Sequence, residues 1–144
     1  MSAAAGPELV RDVPLLGGDA RGLLVIDRLV GGESFGGLRF APGTSLDELA
    51  ACARTMTLKH AFVRYPVGGA KAALDLPRGA EPAARRAALR EFGAALAPLL
   101  HAGTYRAGID MDCAPDDLAA FHAGAGLHAD FSGWKNVSHV YTAW

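Results

Sequence analysis

The chain has 144 residues, of which 51% are hydrophobic and 20% charged, with a formal net charge of −1. That balance fits one globular domain with a buried core and excludes a disordered chain, a basic nucleic-acid binder and a two-domain cofactor enzyme. No stretch approaches the roughly 20 apolar residues of a membrane span, and the N-terminus has neither the basic start nor the apolar run of a secretory signal. The expected location is therefore the cytoplasm.

Residues 1–20 are punctuated by Gly and Pro and read as a short N-terminal segment without a motif. Residues 22–30 (GLLVIDRLV) form a β-rich apolar run. Gly31-Gly32 follows, then residues 34–40 (SFGGLRF), which suggests a hairpin or two adjacent strands. Ser45-Leu46-Asp47-Glu48 is a capping box that opens a helix, with Leu46, Leu49, Ala50, Ala53 and Met56 on one face and an end near residues 58–60. Residues 61–65 (AFVRY) read as a strand stopped by Pro66 and the turn-forming Gly68-Gly69, which Lys71 follows. A long helix is expected over 81–100, with Ala84, Ala88, Phe92, Leu96 and Leu99 inward and Arg85, Arg86, Arg90 and Glu91 on a solvated face. Residues 105–110 (YRAGID) read as a strand and about 114–123 as a short helix, capped near Asp112 or Cys113. This alternation argues for an α/β sandwich. The tail, 124–144, shows no clear period.

Few residues carry chemistry. Arg occurs eleven times and Lys three times, at 59, 71 and 135. Each Lys is thus a less generic choice, because a buried lysine, unlike arginine, can give up its proton. Ligands of α/β sheets sit beyond the carboxyl ends of the strands, where this reading puts Lys71 and Asp110. A shielded lysine and a nearby carboxylate are an acid–base pair, although a surface lysine and a helix-capping aspartate give the same letters. Cys52 and Cys113 have no metal-ligand spacing and read as reduced core fillers. The five histidines fit neither a helical metal pair nor a zinc finger, so no metal is expected. Phe131, Trp134, Tyr141 and Trp144 either line an aromatic pocket or close a core or dimer interface.

Several stretches, in order and spacing, resemble one family. Gly36-Gly37-Leu38-Arg39-Phe40-Ala41-Pro42, Met56-Thr57-Leu58-Lys59-His60-Ala61 and Pro66-Val67-Gly68-Gly69-Ala70-Lys71-Ala72-Ala73 resemble the N-terminal domain of the Glu/Leu/Phe/Val dehydrogenases. These enzymes deaminate amino acids with a nicotinamide cofactor. Asp110-Met111-Asp112-Cys113-Ala114-Pro115-Asp116-Asp117-Leu118 resembles a later element, and Tyr141-Thr142-Ala143-Trp144 the segment where the family's chain leaves this domain. The resemblance implies a dimerisation and substrate domain over residues 21–144, an α/β/α three-layer sandwich with a mixed sheet, and homo-oligomers, dimeric or larger. It also implies that Lys59 pairs with the substrate's α-carboxylate, that Lys71 polarises the carbonyl or activates water, and that Asp110 exchanges protons with the amine. Gly36, Gly37, Gly68 and Gly69 would let the ligand approach the backbone, with Phe35 and Met56 beside it.

The departures sharpen these expectations. The family's GGGKGG is Gly68-Gly69-Ala70-Lys71-Ala72-Ala73 here, which adds methyl groups near the lysine. Phe35 stands where glutamate-specific members place a lysine, which favours an apolar or aromatic ligand. Asp112 replaces a glycine and adds a carboxylate. No G-x-G-x-x-G opens a helix after a strand, so the chain alone is expected to bind no NAD(P). The leading expectation is a stand-alone domain that binds an amino acid, keto acid or imine and performs non-redox acid–base chemistry, by condensation, hydrolysis, tautomerisation or cyclisation. Its competitors are the substrate-binding subunit of a split NAD(P)-dependent dehydrogenase with a Rossmann-domain partner, and a non-catalytic ligand-binding or assembly module.

Overall fold

The computed structural model describes residues 5–128. Its strands are β1 (Leu9–Leu15), β2 (Ala20–Ile26), β3 (Ser34–Phe40), β4 (Gly68–Asp75) and β5 (Arg106–Ile109); its helices are α1 (Leu46–Phe62), α2 (Pro82–Ala95), α3 (Ala97–Ala102) and α4 (Pro115–Gly124). The strands form one mixed sheet in the order β1-β2-β4-β3-β5. β2 is antiparallel to both β1 and β4, whereas β3 runs parallel to β4 and β5.

The three layers follow from the connections. The chain steps from β3 through α1 to β4 on one side, then passes back over β3 through α2 to β5 on the other. Crossovers of one hand in opposite directions put their helices on opposite faces. Accordingly, α1 packs Leu49 and Ala53 against Leu23, Val25 and Ala73. α2 and α4 cover the other face, where Phe92 and Phe121 meet Leu24, Leu38, Ala72 and Leu74 in the larger core. The expected α/β/α sandwich with a mixed sheet is the fold observed.

Several local expectations are corrected. Residues 22–30 and 34–40 do contain strands, but they are neither a hairpin nor adjacent, because β4 lies between β2 and β3. Residues 9–15, expected to carry no motif, are the edge strand β1. Ser45 caps α1 as expected: its Oγ accepts from the Glu48 N–H at 3.1 Å, and the Glu48 carboxylate accepts from the Ser45 N–H at 3.2 Å. The helix does not stop at 58–60, and 61–62 belong to it and not to a strand. Its buried positions, Leu49, Ala53, Met56 and His60, run to the last turn, so the helix continues until His60 has docked. Arg64, with φ 56°, then turns the chain. The strand begins at Gly68-Gly69, so Lys71 lies inside β4 and not beyond a strand end. The long helix over 81–100 is two, α2 and α3. Pro98 lacks an N–H and clashes with the carbonyl four residues back, which breaks the turn there. The last helix is capped at Ala114 and not at Asp112 or Cys113, with the Asp117 carboxylate accepting from the Ala114 N–H at 2.9 Å. Phe131, Trp134, Tyr141 and Trp144, with the segment containing them, lie outside the described residues.

Gly69 sets how closely α1 approaches the sheet. A Cβ there would overlap the Thr57 backbone nitrogen and the Ala53 carbonyl oxygen of the helix. The Gly69→Ala substitution is therefore expected to push α1 outward and lower Tm by about 5–15 °C, the cost of overpacking in a domain of this size. Thermal denaturation followed by circular dichroism checks this, with Gly6→Ala, which meets nothing within 4 Å, expected to be neutral.

Candidate active site

Parallel pairing sets which side chains share a face. Leu38 pairs with Ala72, and both belong to the core under α2 and α4. Alternation along the strands then puts Phe35, Gly37 and Arg39 of β3 on the α1 face with Gly69 and Lys71 of β4. Lys71 is flanked by strands on both sides, and only 8% of its side chain is exposed. A charge so placed needs a partner.

Asp110 supplies it from the first position after β5. Its Oδ2 lies 2.6 Å from Lys71 Nζ and accepts from Arg39 Nε at 2.7 Å, so two cations share one carboxylate oxygen. Oδ1 accepts no hydrogen bond among the described residues. To reach Lys71, Asp110 crosses β3 over Gly37, where an added Cβ would come within 2.7 Å of the Asp110 Cβ. Gly37 thus keeps open the path between the carboxylate and Lys71. Burial alone would push the Asp110 carboxyl up, but the hydrogen bond and charge of Lys71, seconded by those of Arg39, hold it below the usual carboxylate value. The group is a carboxylate at neutral pH.

The remaining sequence-derived candidates separate by position. Phe35 is half-buried on the same face, its ring 6.0 Å from that of His60, and Met56 is buried beneath α1. Both present apolar surface on the Lys71 side of the sheet. Gly36, Gly68 and Gly69 are buried where a Cβ would strike protein: the Ala70 carbonyl, the Arg28 carbonyl and α1 respectively. Close packing of the chain on itself accounts for these three glycines. Lys59 is exposed on the last turn of α1, where its charge and, more strongly, burial lower the affinity of His60 for a proton. It is not among the cations bonded to Asp110. Asp112 is exposed and lines the clefts around the loop after β5.

Arg39 is the residue the sequence reading passed over, although it stands in the quoted motif two residues after Gly37, on the same strand face. Arg85, expected on a solvated face, is half-buried instead. It donates to both Asp117 oxygens, at 3.1 and 2.6 Å, and to the Asp112 carbonyl, and lies 3.1 Å over the Phe40 ring. Burial raises the Cys113 thiol to about 12, which makes it a poor nucleophile. Among the described residues no cluster of three or more His, Cys, Asp or Glu could hold a metal, and no helix is long and apolar enough to cross a membrane.

Residues 20–123 match the family model of the Glu/Leu/Phe/Val dehydrogenase dimerisation domain. The chain belongs to that family. No curated protein matches the sequence at the significance required. Among solved structures, hetero-hexameric glutamate dehydrogenase from Thermus thermophilus in its Leu-bound form is 26% identical with a TM-score of 0.73, over 83% of this chain and 31% of that one. L-tryptophan dehydrogenase from Nostoc punctiforme (23% identity, TM-score 0.72, 84% and 36% covered) and glutamate dehydrogenase from Peptoniphilus asaccharolyticus (22%, 0.74, 83% and 32%) share the fold. The chain spans about a third of the length of these enzymes. A dehydrogenase fold implies a nicotinamide dinucleotide, and the described residues do not fit one. The loops leaving β3, β4 and β5 are Ala41-Pro42-Gly43-Thr44-Ser45, Leu76-Pro77-Arg78-Gly79-Ala80-Glu81 and Asp110-Met111-Asp112-Cys113-Ala114, and none is a glycine-rich turn into a helix.

A carboxylate whose affinity for protons is lowered by folding stabilises the native state above its unfolded pKa, and that contribution disappears as pH falls through the folded value. Asp110→Asn, which also leaves two cations without their anion, is expected to cost about 3 kcal/mol at pH 7. The gap between wild type and variant should narrow below about pH 4. Urea denaturation of both proteins between pH 3 and 7 measures it.

Proposed function

We propose that this domain binds an amino acid, a keto acid or the imine between them and performs acid–base chemistry at its C=O or C=N carbon with Lys71 and Asp110. The observation that carries the reading is the contact of a nearly buried Lys71 Nζ with Asp110 Oδ2 at 2.6 Å, with Oδ1 accepting no hydrogen bond among the described residues. In imine hydrolysis the nitrogen takes a proton from Lys71 Nζ as a water oxygen bonds to the carbon, and the proton released by that water goes to Oδ1. The proton on Oδ1 then passes to the nitrogen, and the C–N bond breaks with its electron pair leaving on the amine. The hydroxyl returns its proton to Lys71 as the carbonyl forms. Atoms balance, both residues are restored, and condensation is the reverse. Arg39 holds Oδ2, so that Oδ1 is the oxygen that moves protons.

Phe35 and Met56, on the Lys71 side of the sheet, favour an apolar or aromatic side chain over a glutamate-like one, and Lys59 on the last turn of α1 offers a cation for the ligand's carboxylate. We further propose a homo-oligomer located in the cytoplasm. A second reading makes this face the substrate half of a redox site completed by a separate nucleotide-binding unit. It is favoured by one observation, that the chain spans about a third of the dehydrogenases it resembles in fold. Co-purification with a nicotinamide-binding protein would select it.

Hydration of a keto acid uses the same two proton transfers, so exchange of ¹⁸O from water into the carbonyl of 4-methyl-2-oxopentanoate is a direct assay. Wild-type protein is expected to accelerate exchange over buffer, and Lys71→Ala or Asp110→Asn to reduce that acceleration about 100-fold, the usual worth of a positioned acid or base. Exchange at the buffer rate with wild-type protein would refute the acid–base assignment.

A further inference from the structure

β3 and β4 are parallel neighbours, yet the chain leaves β3 for α1 on one face and β4 for α2 on the other. Connections that diverge from adjacent carboxyl ends open a crevice between them, and in α/β sheets this is where ligands bind. A cleft of about 380 Å³ is found there, within the size range of small-molecule sites. It does not belong to the Lys71 face, because Phe40, in its wall, shares with Leu38 the strand face turned towards α2. Leu76 and Pro77 add apolar surface, and the charged groups are Arg78, Arg85 and Asp112.

These charges are arranged unequally. Arg85 is fixed by Asp117, the Asp112 carbonyl and the Phe40 ring, and its Nη1 donors carry no hydrogen bond among the described residues. Among the described residues Arg78, next to the turn residue Gly79, has no ion pair, and the Asp112 carboxylate accepts no bond. A pocket with cationic donors, one open carboxylate and an apolar wall matches a molecule that carries both charges and an apolar group. We propose that this crevice is a second binding site, for a zwitterion such as a free α-amino acid with an apolar side chain. Its carboxylate meets Arg78 and Arg85 Nη1, its ammonium meets Asp112, and its side chain lies on Phe40, Leu76 and Pro77. Asp112 stands two residues after Asp110 in the same loop, so occupancy here lies close along the chain to the acid–base pair.

The test is a ¹H–¹⁵N chemical-shift titration of the full chain with L-leucine, and with acetate and isobutylamine as probes carrying one charge each. L-leucine is expected to shift the Arg78, Gly79, Ala80 and Asp112 amides saturably, with either one-charge probe about tenfold weaker or more, as the loss of one charge-assisted contact requires. Arg78→Ala and Asp112→Gly should each weaken L-leucine by a similar factor. Neither threatens the fold, since Arg78 is exposed and Asp112, at φ 56°, occupies a conformation that glycine adopts freely. Lys71→Ala should leave these shifts in place, which separates this site from the acid–base reading. Shifts confined to the α1 face, acetate binding as tightly as L-leucine, or indifference to both crevice substitutions would overturn the proposal.

Discussion

An ammonium group in the middle of a strand flanked on both sides can be kept only beside an anion, and Lys71 obtains one from two strands away. Asp110 spans β3 to reach it, and much of the local architecture serves that crossing. The strand between them carries glycine at position 37 under the carboxylate and, two residues on, Arg39 as a second cation on the same oxygen. β5 must pair in parallel with β3 at the register Gly37↔Gly108 for its next residues to arrive beside Arg39. The turn after Asp110 is fixed by Cys113 N–H donating to the Asp110 carbonyl at 3.2 Å and by Arg85 donating to the Asp112 carbonyl. The pair is thus a property of sheet order, and no local segment could produce it.

The two faces of the sheet divide the work. The α1 face holds the ion cluster, with Phe35 and Met56 as apolar neighbours and a small supporting core. The α2 and α4 face holds the larger core, which includes the Tyr105 hydroxyl donating to the Gly36 carbonyl at 3.0 Å and so pins β3 from beneath. Stability is concentrated on one side of the sheet and polar chemistry on the other. The crevice at the ends of β3 and β4 lies where the two meet.

What was legible in the sequence was what is local. The Ser45 to Glu48 capping box marked the start of α1 because its hydrogen bonds run between residues three apart. The end of α1 was misread because 61–65 (AFVRY) is rich in strand-forming residues, while His60 docking on the sheet keeps the chain helical past it. β4 was missed for the opposite reason. Its sequence, GGAKAALD, has low strand propensity, but the strand is buried on both faces and its neighbours leave no room for a Cβ at Gly68 or Gly69. The neighbours of β2 and β3 were misjudged because inserting β4 between them is a non-local choice. Lys71 and Asp110 were visible through residue type and family resemblance, whereas their distance was not. Arg39 and Arg85 read as ordinary cations because their partners, Asp110 and Asp117, lie 71 and 32 residues away.

The account depends on a carboxylate shared between two cations, and the carboxyl pKa of Asp110 reports on it directly. Titration of ¹³C-labelled aspartate by NMR should find Asp110 ionised to lower pH than an ordinary aspartate in the wild-type protein, and Lys71→Ala should raise its pKa, since burial then opposes one cation in place of two. An Asp110 that titrates as an ordinary aspartate and does not respond to Lys71→Ala would contradict the account.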